Sequence, residues 1–207
     1  MKRKSKFVVC LILIVSLISQ FTIQGNAKCN HEMLILSCNE STDENKYYEV
    51  PLDNDMQDYI RKMLNEFEVD IPNGLEVVLA IAYTESRFKT DVKNGSCKGI
   101  MQVSEIHSET LEDLEIQDLY DPYDCFKAGI YYLKQGFDNA DDLWSELTDC
   151  TLSKDEFRLN CALMSYNLGN YGARKKISKG IYFTSYVDKV REAMKELEPR
   201  LEEEQNE

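Results

Sequence analysis

The 207-residue sequence is poor in histidine and in positive charge, and each shortage argues against a class of binding function. It contains only two histidines, His31 and His107, and no two cysteines at CxxC spacing, which argues against a zinc site. Lys and Arg total 24 against 37 Asp and Glu, giving a formal net charge of −13. Because nucleic acids and anionic membranes bind clustered Lys and Arg, the sequence argues against both as partners.

The sequence also has few runs that alternate between apolar and polar residues, and it contains no internal repeat. Apolar residues instead recur at helical spacing, beginning between Met56 and Phe67 at i, i+3, i+4, i+7, i+8 and i+11. The pattern predicts a mainly α domain with an irregular, acidic excursion at 138–155. The predicted helices cover Met56–Phe67, Leu75–Glu85, Glu105–Leu114, Cys125–Phe137, Phe157–Tyr166 and Tyr182–Leu197.

The first 27 residues have the pattern of an export signal. Four basic residues precede an apolar run, Phe7–Phe21, and small residues follow at Gly25-Asn26-Ala27. We therefore expect an exported protein that is extracellular or associated with the cell wall, with an uncleaved membrane anchor as the alternative. Cleavage of the export signal would remove four basic and no acidic residues, so the net charge of the remaining chain would be −17. Beyond it we predict a polar arm at 28–54, one domain at 55–198 and an acidic tail at 199–207.

Six cysteines remain after the predicted signal is removed with Cys10. An even number in an exported chain indicates disulfides, although six cysteines allow fifteen pairings and the sequence does not choose among them. We predict pairing between near neighbours: Cys29–Cys38, Cys97–Cys125 and Cys150–Cys161.

Glu85 is the strongest catalytic candidate. It lies three residues after Ala82 and seven after Val78, so it continues the apolar stripe of a predicted helix, which Asn73 would cap. Burial disfavours the charged form of a carboxyl group, and acid-catalysed glycoside cleavage requires a protonated carboxyl. The alternative is an ordinary glutamate on a helix surface.

Motifs along the chain resemble a known enzyme domain when they are taken together. They are Glu85-Ser86-Arg87-Phe88, Gly99-Ile100-Met101-Gln102, Asp121-Pro122 with Ala128-Gly129 and Tyr132-Leu133, Ala162 to Gly169, and Tyr186-Val187. In this order and spacing they resemble the catalytic domain of soluble lytic transglycosylases, relatives of goose-type lysozyme. The resemblance covers residues 55–194. It departs from the family pattern at Ile100 and Ser165, where Leu and Ala are common, and at Ser104-Glu105, where Met-Pro is frequent.

The resemblance implies a lysozyme-like α-helical domain with a glycan-binding groove. It implies cleavage of the β-1,4 bond between N-acetylmuramic acid and N-acetylglucosamine in peptidoglycan, with 1,6-anhydro products and without a cofactor or a metal. Glu85 would act first as the acid and then as the base. The residues that would contact or position the substrate are Ser86, Met101, Gln102, Tyr166, Asn167 and Tyr186, the last with its hydroxyl near the glutamate.

Other functions stay open at this point. An inverting hydrolase acting on the same bond would need a second carboxylate to activate water, for which the candidates are Asp91, Asp121 and Asp124. A non-catalytic glycan-binding protein could share the fold. The run Asp53–Asp58 fails the EF-hand calcium pattern. We expect a monomer that acts on peptidoglycan glycan strands, either in wall remodelling or with a secretion or conjugation apparatus.

Overall fold

A computed structural model of the chain describes residues 46–147 and 150–200. Five predictions fall wholly or partly outside these ranges: the export signal, the Cys29–Cys38 pair, most of the polar arm, two residues of the excursion at 138–155, and the end of the acidic tail. The description below concerns the described ranges alone.

The fold is mainly α, as the sequence predicts. Three two-residue strands, β1 (Lys93–Asn94), β2 (Cys97–Lys98) and β3 (Val103–Ser104), form an antiparallel sheet in the order β1-β2-β3. In the described ranges every helix is too short or too polar to span a lipid bilayer. The helices are α1 (Asn54–Glu66), α2 (Gly74–Ser86), α3 (Ser108–Asp113), α4 (Pro122–Glu146), α5 (Lys154–Ile177) and α6 (Ser185–Lys195).

Helix α2 is the central helix of the domain. Its residues from Val77 to Ala82 are all buried, and a helix that is apolar on every side belongs inside a core. Helix α1 is instead amphipathic, and it buries only the face that carries Met56, Ile60 and Met63. The last turn of α2 therefore leads from the core towards the surface, and Glu85 lies in that turn.

The predicted irregular excursion at 138–155 is wrong over its first half, because α4 continues to Glu146. The acidic residues of this stretch, such as Asp138 and Asp141, lie on the exposed side of the helix. Ala140 and Leu143 continue the buried face at helical spacing. An acidic helix surface was therefore mistaken for a break in the helix.

The predicted capping of α2 by Asn73 is also wrong. Asn73 has a left-handed backbone conformation, with φ of 58°, and its side chain makes no capping hydrogen bond. Glu76, the expected partner in the capping box, instead accepts hydrogen bonds from the Tyr48 hydroxyl and from Lys46 Nζ at 3.2 Å. The described end of the polar arm thus packs against α2, with Tyr48 only 1% exposed.

The four described cysteines are free thiols, so the predicted Cys97–Cys125 and Cys150–Cys161 disulfides are absent from this structure. Each buried thiol has polar contacts of its own. Cys125 Sγ accepts a hydrogen bond from the Met101 backbone N–H at 3.4 Å, and Cys161 Sγ lies 3.8 Å from Asn139 Nδ2. Burial raises the pKa of both thiols to about 11, which keeps them protonated and unreactive.

Candidate active site

The backbone directly after Glu85 is unusual. Helix α2 ends at Ser86, and the next two residues, Arg87 and Phe88, both adopt the left-handed conformation with φ of 57° and 61°. This conformation costs a residue other than glycine about 1–3 kcal/mol, so neighbouring contacts must stabilise it. One such contact is the stacking of the Arg87 guanidinium 3.9 Å from the centre of the Tyr83 ring. The sharp helix end leaves Glu85 half-buried at the edge of the core.

Glu85 lies in an environment that favours its protonated form. Burial raises the pKa of its carboxyl above the ordinary value, and a hydrogen bond from Tyr186 acts in the opposite direction. The Tyr186 hydroxyl donates to Glu85 Oε1 at 2.7 Å. Tyr186 is 9% exposed and lies in the first turn of α6, so two helices far apart in sequence meet at this carboxyl group. The sequence prediction for the position of the Tyr186 hydroxyl agrees with this geometry.

Two hydroxyl groups fix the turn at 99–102. Ser86 Oγ donates to the backbone oxygen of Ile100 at 2.8 Å and lies 3.2 Å from that of Ala82. The Tyr166 hydroxyl donates to the next backbone oxygen of the turn, that of Met101, at 2.8 Å. Helices α2 and α5 therefore hold consecutive carbonyl groups of the same turn. Sequence reasoning named both hydroxyl side chains but missed their partners, because the partners are backbone atoms that no side-chain pattern identifies.

Met101 and Ser86, which the resemblance places among the residues that contact or position the substrate, both lie beneath the surface of the domain. The Met101 side chain is completely buried, and Ser86 is 6% exposed with its hydroxyl bonded to backbone. Met101 packs against Gly129 of α4, where an added Cβ atom would come within 2.8 Å of Met101 Cε. Both residues therefore lie behind the surface of the site and position it.

Gln102 also uses its side chain to hold the turn. Its backbone has φ of 50°, and its side-chain nitrogen donates to the backbone oxygens of Gly99 at 2.9 Å and Val92 at 3.1 Å. Because both hydrogen bonds use the side-chain nitrogen, the amide oxygen is the atom that can accept a hydrogen bond from a sugar N–H or hydroxyl group.

Tyr166 and Asn167 lie together near the middle of α5. Burial raises the pKa of Tyr166 well above its ordinary value, and negative charge on Glu85 acts in the same direction. Because Tyr166 and Ser86, the residue after Glu85, bond consecutive carbonyl groups of the same turn, Tyr166 lies near Glu85. Asn167 is exposed, and two residues later Gly169 interrupts the helix with φ of 71° and ψ of 160°. A positive φ of this kind is readily adopted by glycine, which explains why the helix breaks at this residue.

Two of the three candidate bases for hydrolysis have structural roles. Asp121 caps α4 by accepting a hydrogen bond from the backbone N–H of Asp124 at 3.1 Å. Asp124 Oδ2 accepts from the backbone N–H groups of Gln117 and Asp118 at 2.7 and 2.9 Å. Asp91 is exposed. Burial and Tyr186 account for the shifted pKa of Glu85, and no described carboxylate contributes to it.

No group of three or more histidine, cysteine, aspartate or glutamate residues in the described ranges could hold a metal ion. The arrangement at Glu85 is instead that of a single carboxyl group whose protonation depends on burial and on one tyrosine hydroxyl. Such a group keeps its proton to higher pH than a solvated glutamate does, and it can donate that proton and take it back.

Comparison with known protein families gives a match to the Transglycosylase SLT domain over residues 59–181. A search of curated proteins finds no match. The matched range is more than half of the chain and contains Glu85, Gln102 and Tyr166, whereas Tyr186 lies just beyond it. The helical fold agrees with the lysozyme-like architecture expected from the motifs. The chain therefore belongs to the transglycosylase SLT domain family, and its domain is a lytic transglycosylase-like one that acts on peptidoglycan.

Proposed function

We propose that the protein is a peptidoglycan lytic transglycosylase with Glu85 as its single acid–base catalyst. It cleaves the β-1,4 bond between N-acetylmuramic acid and N-acetylglucosamine and leaves 1,6-anhydromuramic ends. The observation that carries the proposal is the environment of Glu85: half-buried, with a raised pKa and a 2.7 Å hydrogen bond from Tyr186.

The reaction begins with proton donation. Tyr186 occupies Oε1, so Oε2 is the Glu85 oxygen suited to carry the acidic proton. Glu85 transfers it to the glycosidic oxygen as the bond from that oxygen to C1 of the muramic acid breaks. The acetamido carbonyl of the same sugar stabilises the charge that develops at C1.

Glu85 then acts as the base. The 6-hydroxyl oxygen of the muramic acid bonds to C1 while its proton passes to the Glu85 carboxylate, which restores the acid. One bond to C1 is exchanged for another, and no water is consumed. The Tyr186 hydroxyl stabilises the carboxylate between the two steps, since a hydrogen bond to the charged form favours it.

The geometry favours this reaction over hydrolysis. An inverting hydrolase needs a second carboxylate to activate water on the opposite face of the sugar ring. Asp121 and Asp124 are engaged by backbone N–H groups of the α4 cap and the preceding loop. A transglycosylase needs no second carboxylate, because the 6-hydroxyl group of the substrate replaces water.

Mass spectrometry of digested peptidoglycan tests the proposal. The test compares the protein from Lys28 onward with its Glu85→Gln variant on purified, insoluble peptidoglycan. We expect anhydro-muropeptides, each lighter by one water than its reducing counterpart, from the unaltered protein and almost no soluble product from the variant.

Two results would contradict the proposal. Products with reducing muramic ends would identify a hydrolase on the same bond, and Asp91 would become the next residue to substitute. Binding of folded protein to peptidoglycan without release of any product would identify a glycan-binding protein instead.

We further propose that the protein is exported, on the strength of the basic and apolar segments before Lys28. The mass of the protein recovered from cells and from culture medium tests this proposal. Recovery of a chain that begins near Lys28 from medium or wall supports export, and recovery of the full-length chain from the cytoplasm alone contradicts it.

A further inference from the structure

A concave surface lies at the end of α5. It encloses about 360 Å³ and combines three exposed lysines with an apolar wall. We call it the lysine pocket, and its lining residues are Leu168, Gly172, Lys175, Lys176, Lys179 and Ile181.

The lysine pocket contrasts with the charge of the rest of the chain. The whole sequence carries a net charge of −13, yet residues 157–187 contain five basic residues and no carboxylate. Lys175, Lys176 and Lys179 form no ion pair with any residue in the described ranges, whereas Lys98 and Lys134 are each paired with an acidic side chain. Three lysines thus converge on one cavity with their charge available to a ligand.

Stabilisation of the helix explains part of this pattern but not all of it. Cations in the last turn of a helix interact favourably with its dipole, and Lys175 and Lys176 lie in the last turn of α5. Lys179 lies beyond the end of the helix, and Ile181 follows it, yet both line the same cavity. The apolar wall is also unnecessary for a dipole interaction.

We propose that the lysine pocket binds the peptide stem of peptidoglycan through the stem's free carboxylates. This inference rests on the proposed function, because it takes the stem to be attached to the muramic acid that is cleaved at Glu85. The lysines would pair with the carboxylates, and Leu168 and Ile181 would contact the short aliphatic side chains beside them. A pocket that joins positive charge to an apolar wall fits such a ligand better than it fits an uncharged glycan.

The distances along the chain are compatible with this occupant. Tyr166 and Ser86, the residue after Glu85, bond consecutive carbonyl oxygens of one turn, and Lys175 lies nine positions after Tyr166. Nine helical steps rise about 14 Å, and the non-helical backbone at Gly169 within this stretch adds about 2 Å along the chain. An extended stem of four or five residues spans roughly 13–18 Å. The length of a stem attached at the cleavage site is therefore comparable with this separation.

The test uses two substrates that differ only in their stems: uncross-linked glycan strands that carry stems, and the same strands after an amidase has removed them. The variant Lys175→Gln/Lys176→Gln/Lys179→Gln removes the charge of the pocket. We expect its kcat/KM to fall roughly fivefold on stem-bearing strands, as expected for a few exposed ion pairs, and to stay unchanged on stripped strands. The control Lys62→Gln/Lys154→Gln/Lys189→Gln removes equal charge from exposed sites elsewhere and should leave both rates unchanged.

Equal rates for the unaltered protein and the pocket variant on stem-bearing strands would overturn the inference, and so would equal losses on both substrates. Cosedimentation with stem-bearing and stripped peptidoglycan, in the Glu85→Gln background, separates this failure from failure of the proposed function. The unaltered protein could cleave neither substrate while the pocket charges still increase binding to stem-bearing peptidoglycan. That result would support the ligand assigned to the lysine pocket and contradict the proposed reaction. If the pocket charges instead increase binding only to vesicles of anionic lipid, the surface belongs to a membrane and the inference is wrong.

Discussion

Two glutamates in neighbouring regions of the fold have carboxyl pKa values that are shifted in opposite directions. Glu85, at the end of α2, is half-buried beside a tyrosine, and burial raises its pKa. Glu105, directly after β3, is hydrogen-bonded to Lys98 and lies 3.9 Å from Lys93, and the bond to Lys98 lowers its pKa. Burial without a neighbouring cation therefore lets a carboxyl group keep its proton to higher pH, whereas a hydrogen bond from a lysine makes the same side chain lose it at lower pH.

The largest effect on activity should come from Glu85→Gln. The amide keeps the shape of the side chain and can still accept the Tyr186 hydrogen bond, but it cannot donate the catalytic proton. We expect cleavage to fall by about 10²–10⁴-fold, measured as release of soluble muropeptides, with the helical circular dichroism spectrum unchanged. Glu105→Gln is the matched control and should cleave at the unaltered rate. Loss of activity in both variants, or in neither, would contradict the claim that Glu85 and not Glu105 donates the catalytic proton.

The largest effect on stability should come from Gly99→Ala, in the turn that joins the two regions. Gly99 has φ of +73°, and an added Cβ atom would lie 1.9 Å from the backbone oxygen of Leu119. We expect the free energy of unfolding to fall by at least about 3 kcal/mol in urea denaturation, because the backbone must shift.

Gly95→Ala provides the control for that prediction. Gly95 has a similar φ of +62° but no atom within 4 Å of the added Cβ, so this variant should lose only about 1 kcal/mol. Equal losses in the two variants would mean that the close approach to Leu119 does not hold the turn.

A smaller and more specific change is expected from Tyr186→Phe. Its hydroxyl lowers the pKa of Glu85, so its removal should raise that pKa further and keep the acid protonated at higher pH. The alkaline limb of the kcat/KM profile should therefore move to higher pH. Tyr171→Phe, at a residue that is 81% exposed, should leave the profile unchanged. A shift of the limb to lower pH would contradict the role given to Tyr186.

The smallest effects are on the free energy of unfolding near pH 7, where Glu105→Gln and Glu85→Gln should change it in opposite directions. The lowered pKa of Glu105 stabilises the fold above the pKa of the unfolded chain, so Glu105→Gln should be slightly less stable near pH 7. That deficit should disappear as the pH falls through the folded-state pKa.

The raised pKa of Glu85 acts in the other direction. It favours folding at low pH, and this benefit is lost as pH rises through the folded-state pKa. Glu85→Gln should therefore be more stable than the unaltered protein near pH 7, and this gain should shrink in acid. Urea denaturation of both variants between pH 3 and pH 7 measures the two trends, and trends of the same sign would contradict the comparison.

Sequence patterns predicted those features that depend on side chains alone. The apolar spacing of α1 and the apolar run of α2 were sufficient to predict those two helices and the position of Glu85 at the edge of the core. Acidic residues on the outer face of α4 concealed the continuation of that helix, because surface charge and irregular structure look alike in a sequence.

Contacts that involve backbone atoms were beyond the reach of sequence reasoning. Ser86 and Tyr166 hold the oxygens of Ile100 and Met101, and every residue has such an oxygen, so no motif identifies the partner. The free thiols illustrate the same limit, because an even number of cysteines does not fix which sulfur atoms approach one another.

The most direct test of this account is a titration of the Glu85 carboxyl group by carbon-13 NMR, assigned with the Glu85→Gln variant and compared with Glu105. We expect Glu85 to titrate above the ordinary value for glutamate and Glu105 to titrate below it. A Glu85 carboxyl group that titrates at or below the value of a solvated glutamate, about 4.3, would contradict the central claim that burial prepares it to donate a proton.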